Sequence, residues 1–426
     1  MTNNKYLSKF YFLKDDFFSQ SISVRYVLSF FFNVYLFIVL FDVTRDGFYI
    51  PHIVNLLVSA LRDVSIYSIL IFILISKQGK LLNKYSIFIF FMIFIPIIMN
   101  ISQVGLLIEE GQKIKYVIQF CILFAKPWMF LFILVNIDIF YVFDKQKILL
   151  SFINFSLFII VFSFLIHFCF PGLKTSTYNI ANRVGLGNMS IQTGIYFSSF
   201  VLTLYYKPFK SNLKNGLAIF LLIVAILLSV TSTGVVCLLI ALIGFLFDTR
   251  TKKTSFVLLL IFLLLITVVV VIFFDKFESF FSYFFKKADE FWDLFINIFN
   301  QENHKTKSSS FRARERQIAS FKESLTLDNC IFGFGYFSQT TEMIENGYFG
   351  ILHDFGIYGL GIMLFILIWH GMLGLIDFFK YKSVLKIISV IGLSLYCVTL
   401  NVAIVPSIAT SFVILFYYSF WGDCII

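Results

Sequence analysis

Charge is scarce in this sequence. Only 14% of its 426 residues are Asp, Glu, Lys or Arg, against about one quarter in an ordinary soluble domain. That shortage excludes a water-soluble globule and leaves the bilayer as the solvent. Paired metal ligands are missing too. None of the six cysteines stands in a CxxC pair, and the five histidines show no HxxxH spacing, so neither a zinc site nor a disulfide framework is expected, and no other protein-held metal. All the cysteines except Cys330 fall within or at the ends of hydrophobic runs. No small-residue cleavage site follows the first hydrophobic run, which reads as an uncleaved helix rather than a signal peptide.

What fills the chain is apolar: 59% of residues are hydrophobic and 59 are Phe. Runs of about 18 or more apolar residues are the mark of a membrane span, and they recur from end to end. The expectation is an all-α polytopic integral membrane protein, one membrane domain over 1–426 with about twelve transmembrane helices. Their approximate positions are 24–41, 55–76, 85–103, 114–136, 148–170, 188–206, 216–230, 233–247, 255–274, 347–374, 384–400 and 402–420. The seventh and eighth are short and share the polar hinge Ser229 to Gly234, so a broken or re-entrant pair is an alternative there and also for the last two.

The formal charge is +10, and its placement carries more information than its size. Lysines and arginines gather in every second connection: the N-terminus, Lys77/Lys80/Lys84, Lys145/Lys147, Lys207/Lys210/Lys214, Arg250/Lys252/Lys253 and Lys380/Lys382/Lys386. By the positive-inside rule both termini are expected in the cytoplasm, with 275–346 a large loop on the outer side. In that loop Phe277, Phe280, Phe281, Phe284, Phe285, Phe291, Trp292, Phe295 and Phe299 recur at helical spacing, which predicts an amphipathic helix on the membrane surface. A polar linker follows, then a helical stretch from Phe311 to about Leu327, then a turn at Phe332-Gly333-Phe334-Gly335.

Arginine is distributed unlike lysine. Arg45, Arg62, Arg183, Arg312, Arg314 and Arg316 fall on or near the outer side, whereas the inner connections carry mostly Lys. A guanidinium fork suits phosphate oxygens better than a lysine does, so a diphosphate ligand at the outer boundary is one reading. For Arg312 and Arg316 the other reading is a solvated helix face paired with Glu315 and Glu323. Arg183 precedes Gly185, Gly187 and the start of a helix, whose N-terminus favours an anion. Arg62 and Asp63 lie inside a hydrophobic run, where charge marks function or mutual neutralisation. Lys126, before Pro127, sits mid-span as counter-ion or catalytic group. Around the mouth of the tenth span stand Glu342, Glu345, Asn346, His353 and Asp354; Glu345 or His353 would serve as a general base toward a sugar hydroxyl. On a continuous helix Asn346 and His353 share a face.

Three segments resemble the Wzy-type O-antigen polymerases and the wider family that includes the O-antigen ligases. They are Arg183-Val-Gly-Leu-Gly-Asn188-Met-Ser-Ile-Gln, the run from Ser309 to Gly335 ending in Phe-Gly-x-Gly, and Glu345-Asn346-Gly-Tyr-Phe-Gly-Ile-Leu-His-Asp-Phe-Gly356-Ile-Tyr-Gly359. The resemblance implies a glycosyltransferase of the bacterial inner membrane, without cofactor or metal, whose 275–346 loop and active site face the periplasm. It would join undecaprenyl-pyrophosphate-linked oligosaccharide repeats into O-antigen or a related surface polysaccharide. Carried over, Arg183 and Arg314 would hold the lipid pyrophosphate and Glu345 with Asn346 would sit at the acceptor site; the reading of the residues themselves adds Arg312 and Arg62 for substrate and His353 as a base. A chain-length regulator and a flippase are the implied protein partners, and no nucleic acid is expected. An O-antigen ligase or a lipid-linked oligosaccharide flippase are the competing functions. The chain departs from the family at Ser232-Thr233-Gly234, where many members carry Ser-Arg-Gly, and at Ile318, where a Trp is common. Glu345 replaces the ligase-like His, which favours polymerase.

Overall fold

The computed structural model describes residues 22–45, 47, 50–76, 129–130, 133–134, 145–173, 186, 188–229, 231–272, 330–331, 333, 347–399 and 405–421. Among these residues the chain is helical, with no strand. Ten helices are labelled in chain order: α1 (Ile22–Arg45), α2 (His52–Ser76), α3 (Lys145–Cys169), α4 (Met189–Tyr206), α5 (Asn212–Leu228), α6 (Ser232–Phe245), α7 (Lys252–Ile272), α8 (Gly347–Tyr381), α9 (Leu385–Thr399) and α10 (Pro406–Trp421). Four stretches, in α1, α2, α3 and α8, are long and apolar enough to cross a membrane, and shorter apolar helices stand at α5, α6, α9 and α10. The protein is therefore a helical membrane protein. Of the expected spans, 85–103 and nearly all of 114–136 lie outside the described residues, as do Lys126 and the amphipathic and arginine-bearing parts of the outer loop.

The core is organised around α4, in which all but Ser190, Ile191 and Tyr206 are buried. Its start is fixed by Asn188, whose side chain accepts from Ser190 N at 3.1 Å and Ile191 N at 3.4 Å, satisfying donors that a helix start leaves open. It ends at Lys207 in the left-handed conformation. Hydrocarbon offers no hydrogen-bond partner, so the polar side chains of α4 pair within the bundle. Ser199 donates to Ser156 of α3 at 2.8 Å, and Thr231 donates to Thr193 at 3.2 Å. Between them Phe197, Tyr396 and Phe412 form an aromatic wedge joining α4, α9 and α10, with ring centroids 5.5–6.4 Å apart.

The helix ends are tied together at one end of the bundle. Tyr206 donates its hydroxyl to the Tyr418 carbonyl, and Tyr418 donates to the Lys145 carbonyl. Asp248 is buried, with Oδ1 accepting from Arg250 N at 2.8 Å and Oδ2 from Val384 N at 3.1 Å. These contacts gather the start of α3, the ends of α4 and α10, the α6–α7 connection and the α8–α9 connection. The clusters Lys145/Lys147, Lys207/Lys210/Lys214, Arg250/Lys252/Lys253 and Lys380/Lys382/Lys386 therefore share one end, the arrangement their alternation along the chain predicts. Because α5 starts beside Phe209, which exchanges hydrogen bonds with Asn215, and α6 finishes at Asp248, both open onto that same end. The two form a hairpin turning at Ser229–Thr231, with arms of 17 and 14 residues.

Replacing Asp248 by Ala removes an acceptor shared by two connections and leaves the Val384 N–H buried without it. Hydrogen bonds to a carboxylate contribute about 1.5–3 kcal/mol each, so Asp248→Ala is expected to lower stability by about 2–4 kcal/mol, measured by unfolding in detergent. A loss under about 0.5 kcal/mol would contradict this account of the clamp.

Candidate functional site

Of the polar residues singled out by sequence, His353 and Asp354 lie toward the opposite end of the bundle. There α8 is not one continuous helix: Gly356 has φ 65° and ψ −168° and divides it into 347–355 and 357–381. A positive φ of this kind is open to glycine and strained for other residues. The longer segment has 25 residues, about 37 Å at 1.5 Å per residue, against a hydrocarbon core of about 30 Å. With its lysine-bearing end at one boundary, its Gly356 end reaches the other. The first segment is held on α9 by the Tyr348 hydroxyl, which donates to the Ser394 carbonyl at 3.3 Å.

Two motifs distant in sequence meet at the break. Gly333, from the Phe-Gly-x-Gly turn, has φ 83°, and a Cβ there would come within 2.6 Å of the Asp354 carbonyl and of Phe355 N. On Gly356 a Cβ would overlap the Ile331 carbonyl. Each glycine thus gives the other segment's backbone room, and Ile331 and Gly333 rest against Asp354, Phe355 and Gly356. The close approach needs a missing side chain on both partners.

Directly beneath that contact, His353 Nδ1 lies 2.8 Å from Asp354 Oδ1, both side chains being buried. A carboxylate can only accept, so Nδ1 carries the hydrogen and Nε2 is left as the basic nitrogen. This is the geometry of a base held in one tautomer by an acidic neighbour. The face expected to run from Asn346 through His353 to Ile357 stops at Gly356. Glu342, Glu345 and Asn346, immediately before α8, lie outside the described residues, and so do Arg183, Arg312, Arg314 and Arg316.

Arg62 is placed, and its charge is taken. Its Nε donates to Asp63 Oδ1 at 3.0 Å and its Nη1 to Asp42 Oδ2 of α1. These two contacts orient the guanidinium and tie α2 to α1. Asp42 was not a sequence candidate; it lies twenty residues from Arg62, on another helix, and no local spacing connects them. Nor does sequence reveal the Gly333–Gly356 contact, although glycine in both motifs was the available signal. Among the described residues no group of three or more His, Cys, Asp or Glu forms a metal-binding cluster.

The model of a family described as O-Antigen ligase matches residues 217–364. The match runs from α5 through both sides of the Gly333–Gly356 contact and includes His353 and Asp354; the Arg183 segment lies outside it. The chain is similar to that family over this stretch. No curated protein matches the chain.

A Cβ at Gly333 or Gly356 meets backbone atoms, and each φ lies where L-residues pay about 1–2 kcal/mol. Gly333→Ala and Gly356→Ala are each expected to destabilise the protein by about 2 kcal/mol or more in detergent unfolding. Gly361→Ala, where a Cβ meets nothing within 4 Å, is the control and is expected to be neutral or stabilising by up to about 1 kcal/mol.

Proposed function

We propose that this protein is a polymerase of O-antigen or a related surface polysaccharide, a glycosyltransferase that joins oligosaccharide repeats carried on undecaprenyl pyrophosphate. The observation that carries the reading is the close approach of Ile331 and Gly333 to Asp354, Phe355 and Gly356, inside the stretch similar to O-antigen ligases. A hydroxyl of the incoming repeat attacks the anomeric carbon of the growing chain. The new glycosidic C–O bond forms as the bond to the pyrophosphate breaks, and undecaprenyl pyrophosphate leaves with the bonding electron pair. The hydroxyl proton passes to His353 Nε2 or to Glu345. Arg183, Arg312 and Arg314 offset the charge gathering on the diphosphate, as fixed cations can without a metal, and Asn346 holds the acceptor. Asp354 positions His353. Arg62, which donates to Asp63 and Asp42 and so ties α2 to α1, is the fourth arginine of the substrate site.

In this reading the protein crosses the bacterial inner membrane about twelve times. Both termini and the lysine-rich end are cytoplasmic, and the 275–346 loop and the His353 end face the periplasm. Repeats arrive from a flippase, and a chain-length regulator acts on the product. An O-antigen ligase is the second reading, favoured by the description of the matching family and opposed by Glu345 in place of a ligase-like His.

Deletion of the gene in its host, followed by gel analysis of surface polysaccharide, separates the readings. A core bearing a single repeat, with the ladder lost, is the expected result. Polymer retained on undecaprenyl pyrophosphate would mean a ligase, and repeats trapped on the inner face a flippase. Complementation with His353→Ala is expected to lower polymer formation about 100-fold or more, the scale of a lost general base, with the protein still present in the membrane.

A further inference from the structure

The lysine-rich end contains a feature that the proposed reaction does not use. The α6–α7 and α8–α9 connections are separate in sequence but clamped together by Asp248, which accepts from a backbone N–H in each. Tyr205 of α4 fills the space between them. Its hydroxyl lies 3.0 Å from Ser383 Oγ, and its ring centroid 5.6 Å from Arg250 Cζ, so little more than one phenol separates the Arg250 guanidinium from the residue next to Lys382. Lys382 itself is held in a left-handed conformation, with Nζ 5.5 Å from the Phe378 ring centroid.

The clamp displays two sets of exposed cations: Arg250, Lys252 and Lys253 from one connection, Lys380 and Lys382 from the other. Among the described residues the nearby carboxylates are Asp248 and Asp377, and both are engaged. Asp248 accepts from the two backbone groups, and Asp377 pairs with Lys386. Among the described residues six cations, Lys386 included, stand with two carboxylates, which makes this surface positive, and Asp248 and Tyr205 link its two connections. Beside these cations stand exposed aromatic side chains, Phe247 at 64%, Phe379 at 72% and Tyr381 at 70%. Cations at the helix ends adjoining bare aromatic surface call for a ligand that is anionic at one end and apolar at the other. A soluble polyanion would leave the aromatics uncovered, and an ordinary lipid would leave the two sets of cations unmatched.

We propose that the clamped α6–α7 and α8–α9 connections bind an anionic phospholipid bearing two phosphates, one facing Arg250, Lys252 and Lys253 and the other Lys380 and Lys382, with its acyl chains against Phe247, Phe379 and Tyr381. Surface charge attracts any anionic headgroup weakly; what distinguishes this site is the spacing imposed by Asp248 and Tyr205.

The test is thermal unfolding of the purified full-length protein in detergent with added cardiolipin, phosphatidylglycerol at equal phosphate, phosphatidylcholine or inorganic pyrophosphate. Cardiolipin is expected to raise Tm by about 3 °C or more, clearly beyond phosphatidylglycerol, with no rise from the other two. The quadruple variant K252Q/K253Q/K380Q/K382Q is expected to lose that increment, and K207Q/K210Q/K214Q, exposed lysines at the same end, to keep it. Equal loss in both variants would reduce the effect to general charge and overturn the site. So would a cardiolipin response no larger than that of phosphatidylglycerol, and so would an equal rise with pyrophosphate alone, which would make the ligand a free phosphate. Should the quadruple variant fail to fold, the pairs K252Q/K253Q and K380Q/K382Q are compared by native mass spectrometry. Each is expected to retain at least fivefold less cardiolipin than wild type, and unchanged retention overturns the proposal.

Discussion

A polar group inside hydrocarbon has to find its partner within the protein, and much of this bundle follows from that demand. Helices satisfy their own backbones, but their connections and side chains cannot do so alone. The structure answers with cross-links between elements. Ser199 and Thr193 of α4 reach Ser156 and Thr231, and Ser389 of α9 meets Ser419 of α10 at 2.7 Å. Asp248 goes further, because one carboxylate satisfies two connections and sets their relative position.

The two ends of the molecule solve the problem of charge differently. At the lysine-rich end the carboxylates are few and engaged with backbone or with Lys386, leaving cations exposed to the medium. At the other end the arginine that sequence placed inside a span donates to Asp42 and Asp63, which ties α1 to α2. The histidine of α8 is likewise buried against its own neighbour. Among the described residues the lysine-rich end presents exposed cations, whereas Arg62, His353 and Asp354 hold their polar groups in contacts that orient one another.

Most of the helical architecture could be read from hydropathy, since an apolar run of span length has few alternatives in a membrane. α1, α3, α4 and α8 fall close to their expected positions, and the common end of the lysine clusters follows from their alternation. What escaped the sequence depends on contact between distant residues. Nothing local to Asp248 points to Val384, nothing near Arg62 points to Asp42, and Gly333 and Gly356 belong to motifs that read independently. The break at Gly356 escaped for a related reason: glycine is tolerated in membrane helices, so only the Ile331 carbonyl lying against it shows why that glycine leaves helical geometry. The arginines expected to bind diphosphate, together with Glu345 and Asn346, lie outside the described residues, so of the candidate site the legible part that the structure reaches is His353 with Asp354.

The length of α8 beyond its break has a consequence for how the molecule sits in its bilayer. Its apolar part, 357–376, spans about 30 Å and so matches a slab of about 30 Å, leaning only where the slab is thinner, and Phe365, Ile368, Trp369, Met372 and Ile376 line its exposed side. The angle of lean tracks the thickness of the slab, since a thinner bilayer presses the helix further over and a thicker one lets it stand. His353 and Asp354 stand on the short segment 347–355, which joins the upper end of that helix at Gly356. Their height above the acyl chains is therefore a property the membrane shares in setting, and lipid chain length becomes part of the geometry of the site.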